Sequence, residues 1–415
     1  MNGTDGPRRR RRASLAEKLA AAAAGAHSIE AFLAAAGVIL WGARLAVERV
    51  FVSLQTLHPA FRARTYLWRR KAGGVTVTDW PHGLKNRPGY YASPDFEVHR
   101  SGAELRVRNL GEITDHPCAL YGELRRGGYA DYLMRPLPFS DGTTNTIAFA
   151  TKRRRGFHAE AVERLRSLTD LFVIALERYA ALETLNATLD TYLGRSAAGR
   201  VLSGRIRSGH GEETEAAILF ADLDGFTEHA TRLDAAHTVR LLNAYFDCLV
   251  GPIEENGGYV LKFIGDAVLA FFPVMDGTGT PRPMDAVLAI CARMSELNGA
   301  RRAAGEPPLS HALCAHFGRV LYGNVGSSER LDFTIIGEAV NVAARGVDEA
   351  KALGVGYVFT RAFADRFGRD LLAPMGCFSL RGIAEPVALF TFATASTPNR
   401  PRHSPVRDRS GGDRS

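Results

Sequence analysis

Apolar residues recur at Leu165, Leu168, Phe172, Ala175, Tyr179, Leu182, Leu189 and Leu193. This heptad seam runs over four heptads, and a long helix is what places such residues on one stripe. It divides the chain into a block before it and a block after it. The one position at which the seam lapses, Asn186, is polar. A lone Asn at such a place fixes register and favours a parallel two-stranded pairing. Up to Tyr179 the stripe reads as a helix packing on its own domain. From Leu182 to Leu193 it reads as a seam between two chains. Gly194 and Gly199 are expected to break the helix, and Ser203–Glu215 to form a polar linker.

The resulting organisation has five parts: a basic, then Ala-rich arm over 1–27, disordered or loosely helical, a folded block over 28–180, a signalling helix and linker over 181–214, a second folded block over 215–396, and a disordered tail over 397–415. The first block opens with helical spacing at Ile29, Phe32, Leu33, Ala36 and Leu40. Strands are expected at Arg49–Leu57, Glu104–Val107, Tyr129–Pro136 and Thr144–Thr151, and a closing helix from about His158. The second block begins with a strand at Ala216–Ala221 and then alternates strands and helices.

The net charge of +8 sits mostly in the two ends. Arg8–Arg12 and Lys18 against Asp5 and Glu17 leave +4 in residues 1–18, and five Arg against Asp408 and Asp413 leave +3 in residues 397–415. The folded middle is close to neutral, so the basic pI is no sign of a nucleic-acid-binding body. The Arg8–Arg12 run reads as a solvated arm rather than a lipid or RNA contact. Five scattered cysteines without a CxxC pair read as reduced thiols and suggest the cytoplasm. The longest uncharged apolar stretch, Ala31–Ala43, makes about 20 Å of helix against a hydrocarbon core of about 30 Å, so a buried helix is expected and no transmembrane segment.

Four pieces of the second block carry chemistry. In FADLDGFT (220–227) an apolar strand runs into Asp222 and Asp224, then Gly225 and a helix start. A strand-end carboxylate there can hold a metal, and the helix-start N–H groups can receive phosphate oxygens. Alone, the same residues read equally well as a helix cap. LKFIGDAVLAFF (261–272) reads as two strands about a turn at Gly265-Asp266. Asp266 is either an ordinary turn residue or the second carboxylate of a Mg²⁺ or Mn²⁺ site. Lys262 lies in an apolar strand of a chain with only six Lys against 46 Arg. That favours a compact point-charge donor over a snorkelling side chain. In FTIIGEAVNVAAR (333–345), Asn341 and Arg345 are four apart and share a helix face. An amide beside a guanidinium can orient a sugar and neutralise a phosphate, though a plain surface pair has the same spacing. LRGIAEPVALF (380–390) reads as a turn followed by an edge strand.

In this order and spacing the four pieces closely resemble class III nucleotidyl cyclases, over about 215–392. The resemblance implies an α+β sandwich, a ferredoxin-like βαββαβ cyclase domain. It implies that Asp222 and Asp266, with Leu223, bind two metal ions per site, Mg²⁺ or Mn²⁺. Gly225, Phe226 and Thr227 would meet phosphates. Lys262 and Thr334 match the purine-selecting positions, Asn341 the ribose-orienting asparagine, and Arg345 the transition-state arginine. Arg381 matches a residue, usually Lys, that contacts the terminal phosphates. Many members have Asp at 334; Thr is similar to an adenylate cyclase subclass, some of whose members respond to bicarbonate. Asp332 lies two positions early and is not the selecting residue. Lys262 can donate to adenine N1, whereas guanine carries N1–H there, so ATP is the expected substrate.

In this family the metal aspartates and the selecting, Asn and Arg residues come from opposite subunits. Both half-sets are present here, so the resemblance implies a homodimer with two composite sites and ATP conversion to 3′,5′-cyclic AMP. The rival readings are a guanylate cyclase and a catalytically silent ligand-binding signalling module. The first block more weakly resembles a GAF-type sensor domain, in its α-β-β order and in the strand Thr146–Thr151, Gly156-Phe157 and closing helix. Such a domain would take an unknown small-molecule ligand.

Overall fold

The structure is a computed structural model that describes residues 13–56, 58, 61–83, 88–113, 116–205, 211–226, 234–274, 281–327 and 329–393. The chain divides into two compact units, Met1–Tyr192 and Leu193–Ser415.

The first unit is built on a six-stranded antiparallel sheet in the order β3-β2-β1-β6-β5-β4. Its strands are β1 (Arg49–Gln55), β2 (Ala63–Arg69), β3 (Val75–Trp80), β4 (Leu105–Arg108), β5 (Asp131–Pro138) and β6 (Thr144–Thr151). Its helices are α1 (Leu15–Gly25), α2 (Ile29–Gly42), α3 (Pro88–Tyr91), α4 (Pro94–Ser101), α5 (Ala119–Arg126), α6 (Ala159–Ser167) and α7 (Thr169–Leu193). Strand alternation feeds two cores. Val50, Val52, Ile147 and Phe149 pack against α1, α2, α6 and α7. Tyr132, Met134, Ala148 and Ala150 pack with Val98, Tyr121 and Leu124.

The arm expected over 1–27 is corrected in its second half. Residues 15–25 form α1, capped reciprocally by Ser14 and Glu17, with Leu19 buried. The alanine run supplies helix propensity, and the capping box satisfies the first orphan N–H groups. The Tyr179 hydroxyl donates to the Ala23 and Ala26 carbonyls and ties α1 to α7. Residues 1–12 lie outside the described set. On α7, Phe172, Ala175 and Tyr179 are buried in the core, whereas Leu182 is 47% exposed and Asn186 is exposed. The stripe therefore changes character at the position where its reading as a two-chain seam begins.

The second unit opens with α8 (Arg195–Leu202) and continues β7 (Gly211–Leu223), α9 (Ala235–Glu255), β8 (Tyr259–Ile264), β9 (Ala267–Pro273), α10 (Pro283–Ala303) and β10 (His311–Gly326). It ends with β11 (Leu331–Ile336), α11 (Glu338–Leu353), β12 (Tyr357–Thr360), α12 (Arg361–Phe367), β13 (Leu372–Phe378) and β14 (Val387–Phe392). The sheet order is β13-β14-β12-β10-β7-β9-β8, with β11 also paired to β10. From β7 to β10 the chain runs βαββαβ, and these four strands are antiparallel neighbours in the order β10-β7-β9-β8. That is the expected ferredoxin-like arrangement in an α+β fold. Leu241, Tyr245, Leu249, Val287 and Ile290 of α9 and α10 cover one face, against Leu219, Ala270 and Leu313.

Three local expectations are corrected. Gly199 does not break a helix but lies within α8, where burial of Ala197 and Ala198 offsets a glycine cost of about 1 kcal/mol. Strand β7 starts at Gly211, so the described linker is shorter than Ser203–Glu215. Strand β14 is not an edge; it lies between β12 and β13 because β13 folds back and covers it. Among the described residues no helix is long and apolar enough to cross a membrane.

Candidate active site

Strand β7 is polar and mostly exposed over its first five residues, becomes apolar and largely buried from Ala216, and then delivers Asp222, Leu223 and, just beyond its end, Asp224 to one end of the sheet. Its antiparallel pairing with β9, Ala221 opposite Val268, brings the β8–β9 turn to the same end. Gly265 makes that turn at φ 65°, a conformation glycine adopts without strain, and Asp266 follows it. The two carboxylates are close enough to share a hydrogen bond. The Asp266 carboxyl is pushed up to about 6, first by burial and then by Asp222. Two like charges in a half-buried place demand a cation.

One is present. Lys351, on the last turn of α11, donates to Asp222 Oδ2 at 2.9 Å and to the Leu223 carbonyl oxygen at 2.7 Å. Its Nζ lies 3.7 Å from Asp224 Oδ1. Three buried atoms that have no hydrogen-bond partner among the described residues adjoin this place: Asp224 Oδ1, the Tyr245 hydroxyl and His311 Nδ1. The Tyr245 hydroxyl is pushed up by burial and by the nearby Asp222 and Asp266 charges. Burial lowers His311 to about 4, so it is neutral. Among the described residues no group of three or more His, Cys, Asp and Glu forms a closed metal cluster. An open pair of carboxylates with a backbone carbonyl is nevertheless a fitting donor set for a hard divalent ion, which fills its shell with water and phosphate. The ammonium seated among those oxygens marks where such an ion fits.

The other candidates sit elsewhere on the unit. Lys262, on β8, ion-pairs with Asp332 of β11. Thr334 is two residues along the same strand and therefore on the same face, and it is buried. Asp332 was set aside in the sequence as two positions early; the strand pleat makes it the partner of Lys262. The spacing of two was the signal available for this. The resemblance assigns Lys262 and Thr334 to purine selection; on that assignment Asp332→Ala is expected to relax the selection about three- to tenfold, the scale of one net hydrogen bond, measured as the ratio of kcat/KM for ATP and GTP. An unchanged ratio would remove Asp332 from base recognition.

Helix α11 packs Ala339, Val342, Ala343, Gly346, Val347 and Ala350 inward. Asn341 and Arg345 are on its exposed face, and Arg345 donates to Asp348 at 2.9 Å. Among the described residues no contact joins Asn341 or Arg345 to Asp222 or Asp266. Arg381 is exposed in the turn between β13 and β14. Gly225, at φ 66°, and half-buried Phe226 follow β7 directly. Thr227 lies outside the described residues. The structure thus brings together Asp222, Leu223 and Asp266, and separately Lys262 with the Thr334 strand face. It leaves Asn341, Arg345 and Arg381 facing outward. Lys351 and Asp332 were missed by the sequence reading.

Residues 210–356 match the family model for the adenylate and guanylate cyclase catalytic domain. An adenylate cyclase of Anabaena cylindrica is 34% identical over 174 residues, 41% of this chain and 33% of that protein. An uncharacterised protein of Mycobacterium tuberculosis is 34% identical over 165 residues, 39% of this chain and 29% of its own length. The match thus spans about a third of these curated relatives. Among solved structures, the adenylyl cyclase CyaB of P. aeruginosa aligns with 45% of this chain and 97% of its own, at 26% identity and a TM-score of 0.40.

Proposed function

Because residues 210–356 form a class III adenylate/guanylate cyclase catalytic domain, we propose that this chain is a homodimeric adenylate cyclase converting ATP to 3′,5′-cyclic AMP and pyrophosphate. The observation that carries this reading is the separation within one chain. Asp222 and Asp266 converge on a cation position, while Asn341 and Arg345 face away from them on the exposed side of α11. A second copy would supply the missing half of each site. Phe263 at 53% and Ile264 at 49% exposure, beside Lys262, are large apolar side chains suited to being covered by that copy. The half of the α7 stripe that lies beyond the core, through Leu182, Asn186 and Leu189, would join the same two chains upstream.

Asp222, the Leu223 carbonyl and Asp266 would hold Mg²⁺ or Mn²⁺, two per site. When bound, the metal supplies Lewis acidity that favours ionisation of the ribose 3′-hydroxyl and neutralises the triphosphate. The rest falls to side chains. Asn341 orients the ribose so that O3′ lies in line with the α-phosphorus. The O3′–Pα bond forms as the bond from Pα to the bridging oxygen breaks. The hydroxyl proton is lost to solvent and pyrophosphate departs. Arg345 stabilises charge on the α-phosphoryl oxygens, and Arg381 holds the leaving group. Lys262, steadied by Asp332 and beside Thr334, donates to adenine N1. Gly225, Phe226 and Thr227 would bring backbone N–H groups to the phosphates.

The deciding assay gives purified protein ATP and, separately, GTP, each with Mg²⁺ and with Mn²⁺. We expect cyclic AMP at least about tenfold above cyclic GMP, the discrimination available from one buried donor–acceptor mismatch. The reverse preference would make it a guanylate cyclase, and no product from either would leave a binding module.

The first unit is taken as the regulator. It holds a cavity of about 420 Å³ walled by Phe51, Ser53, Thr65, Trp80, Tyr90 and Asp95. The Asp95 carboxylate accepts from the Thr146 hydroxyl at 2.6 Å, and burial raises its pKa. That volume and mixed lining suit a small organic effector. Filling it with Ser53→Phe should shift the basal cyclase rate by at least about threefold with little change in KM, as loss of a regulatory equilibrium does. An unchanged rate in folded protein would count against this role. A cytoplasmic location accords with the five unpaired cysteines.

A further inference from the structure

We propose that Lys351 is a resident counter-cation of the metal site. It holds the divalent ion's place in the metal-free enzyme and lowers the affinity with which that ion enters. The inference rests on the reading of Asp222, Leu223 and Asp266 as the metal set and goes beyond it.

The argument starts from what the ammonium touches. Nζ takes one carboxylate oxygen of Asp222 at 2.9 Å and the Leu223 carbonyl at 2.7 Å. These are two of the donors assigned to the metal. A structural ion pair needs only a carboxylate, whereas here a backbone carbonyl at the strand end completes the seat, as it would for a hard cation.

The two occupants exclude each other. A Mg²⁺ ion bonds oxygen at about 2.0–2.1 Å, and a second cation cannot share the same lone pairs in the same direction. Lys351 must therefore withdraw when the ion enters. Asp224 Oδ1 offers a landing: it lies 3.7 Å from Nζ and has no hydrogen-bond partner among the described residues. The Asp224 carboxylate is held in place through its other oxygen, which accepts from the Ser310 hydroxyl at 2.7 Å. The flexible four-carbon stem of a lysine allows this exchange, whereas a guanidinium fork would hold two oxygens at once. Lys351 is one of only six lysines in a chain that uses Arg 46 times. On the last turn of α11 the ammonium keeps a favourable interaction with the helix C-terminus in either position.

The test is Mn²⁺ binding to the full chain without nucleotide, read by electron paramagnetic resonance of free Mn²⁺, in the wild type, Lys351→Met, Lys351→Gln, Lys351→Arg and Asp222→Asn. Each variant is first checked for folding by circular dichroism. The uncharged variants should bind Mn²⁺ about tenfold more tightly than the wild type, the scale of one charge-assisted hydrogen bond removed from the competing state. They should also melt lower without metal and gain more on its addition, while Lys351→Arg, whose fork holds two oxygens at once, should bind Mn²⁺ more weakly than the wild type. If both uncharged variants bind no more tightly than the wild type while Asp222→Asn binds far less, the counter-cation proposal fails and the metal site stands. If Asp222→Asn binds Mn²⁺ as well as the wild type, the metal reading fails, and the proposal with it.

Discussion

Chains carrying Asp222→Ala and chains carrying Asn341→Ala, each inactive alone, should regain cyclase activity when mixed. Each substitution should cost at least about a hundredfold alone, because one removes a carboxylate that would hold the metal and the other the amide that orients the ribose. In a twofold dimer with composite sites, every homodimer of either variant spoils both of its sites. A heterodimer concentrates both defects in one site and leaves the other whole. Random mixing makes half of the dimers mixed, so about a quarter of the wild-type rate should return. The expectation follows from the placement of side chains within one chain. Lys351, not Arg345, is the cation that reaches Asp222, and Arg345 is turned outward onto Asp348. The measurement is cyclic AMP formation in a mixture whose heterodimer content is verified with two affinity tags. Verified heterodimers without recovered activity would mean that each site is built from one chain.

The parts of this site legible in the sequence were those carried by local spacing. Asp222 at a strand end, Asp266 at a glycine turn, and Asn341 four residues from Arg345 are each set by the geometry of one element. The apolar patterns gave only an alternation of strands and helices after Ala216; the βαββαβ order came from the resemblance of the four motifs taken together. What stayed hidden depended on contacts between distant elements. Lys351 lies 129 residues from Asp222 in sequence, and only the packing of α11 on the sheet brings the two together. Asp332 stands two positions before the motif's selecting residue, so motif position alone gives it no role, whereas the strand pleat does. Alternation along β11 places it on the face of Thr334, and the β8–β11 neighbourhood brings Lys262 to it. Helix α1 was hidden by composition. An arginine run beside an alanine run suggests an open arm, until the Ser14–Glu17 box and the burial of Leu19 are seen.

The packing that brings Lys351 to Asp222 hinges on Gly346. There α11 lies so close to β10 that a Cβ at 346 would sit 2.3 Å from Cys314 Sγ and 3.0 Å from its Cβ. Both residues are buried, and Val347, Ala350 and Val358 close the surroundings. Two effects oppose each other on substitution. Ala in place of a helical Gly gains about 1 kcal/mol of intrinsic propensity. Overpacking a closed core costs about 1–3 kcal/mol, and more for a larger side chain. A contact of 2.3 Å against a fully buried sulfur puts Gly346→Ala at the upper end of that cost, so the net sign is destabilising. Gly346→Leu should lose more than about 3 kcal/mol, lowering the melting temperature of the catalytic unit and abolishing cyclase activity, because the helix that carries Asn341, Arg345 and Lys351 is lifted from its seat. Deleting the offending sulfur with Cys314→Ala should recover at least about 1 kcal/mol of the Gly346→Ala loss, a non-additivity that chemical denaturation of the two single variants and the double variant measures directly. If the double variant is as unstable as the two single losses together, the contact with Cys314 is not what holds α11 against the sheet. The placement of its three side chains would then rest on the other buried residues of α11, Ala339, Val342, Ala343, Val347 and Ala350.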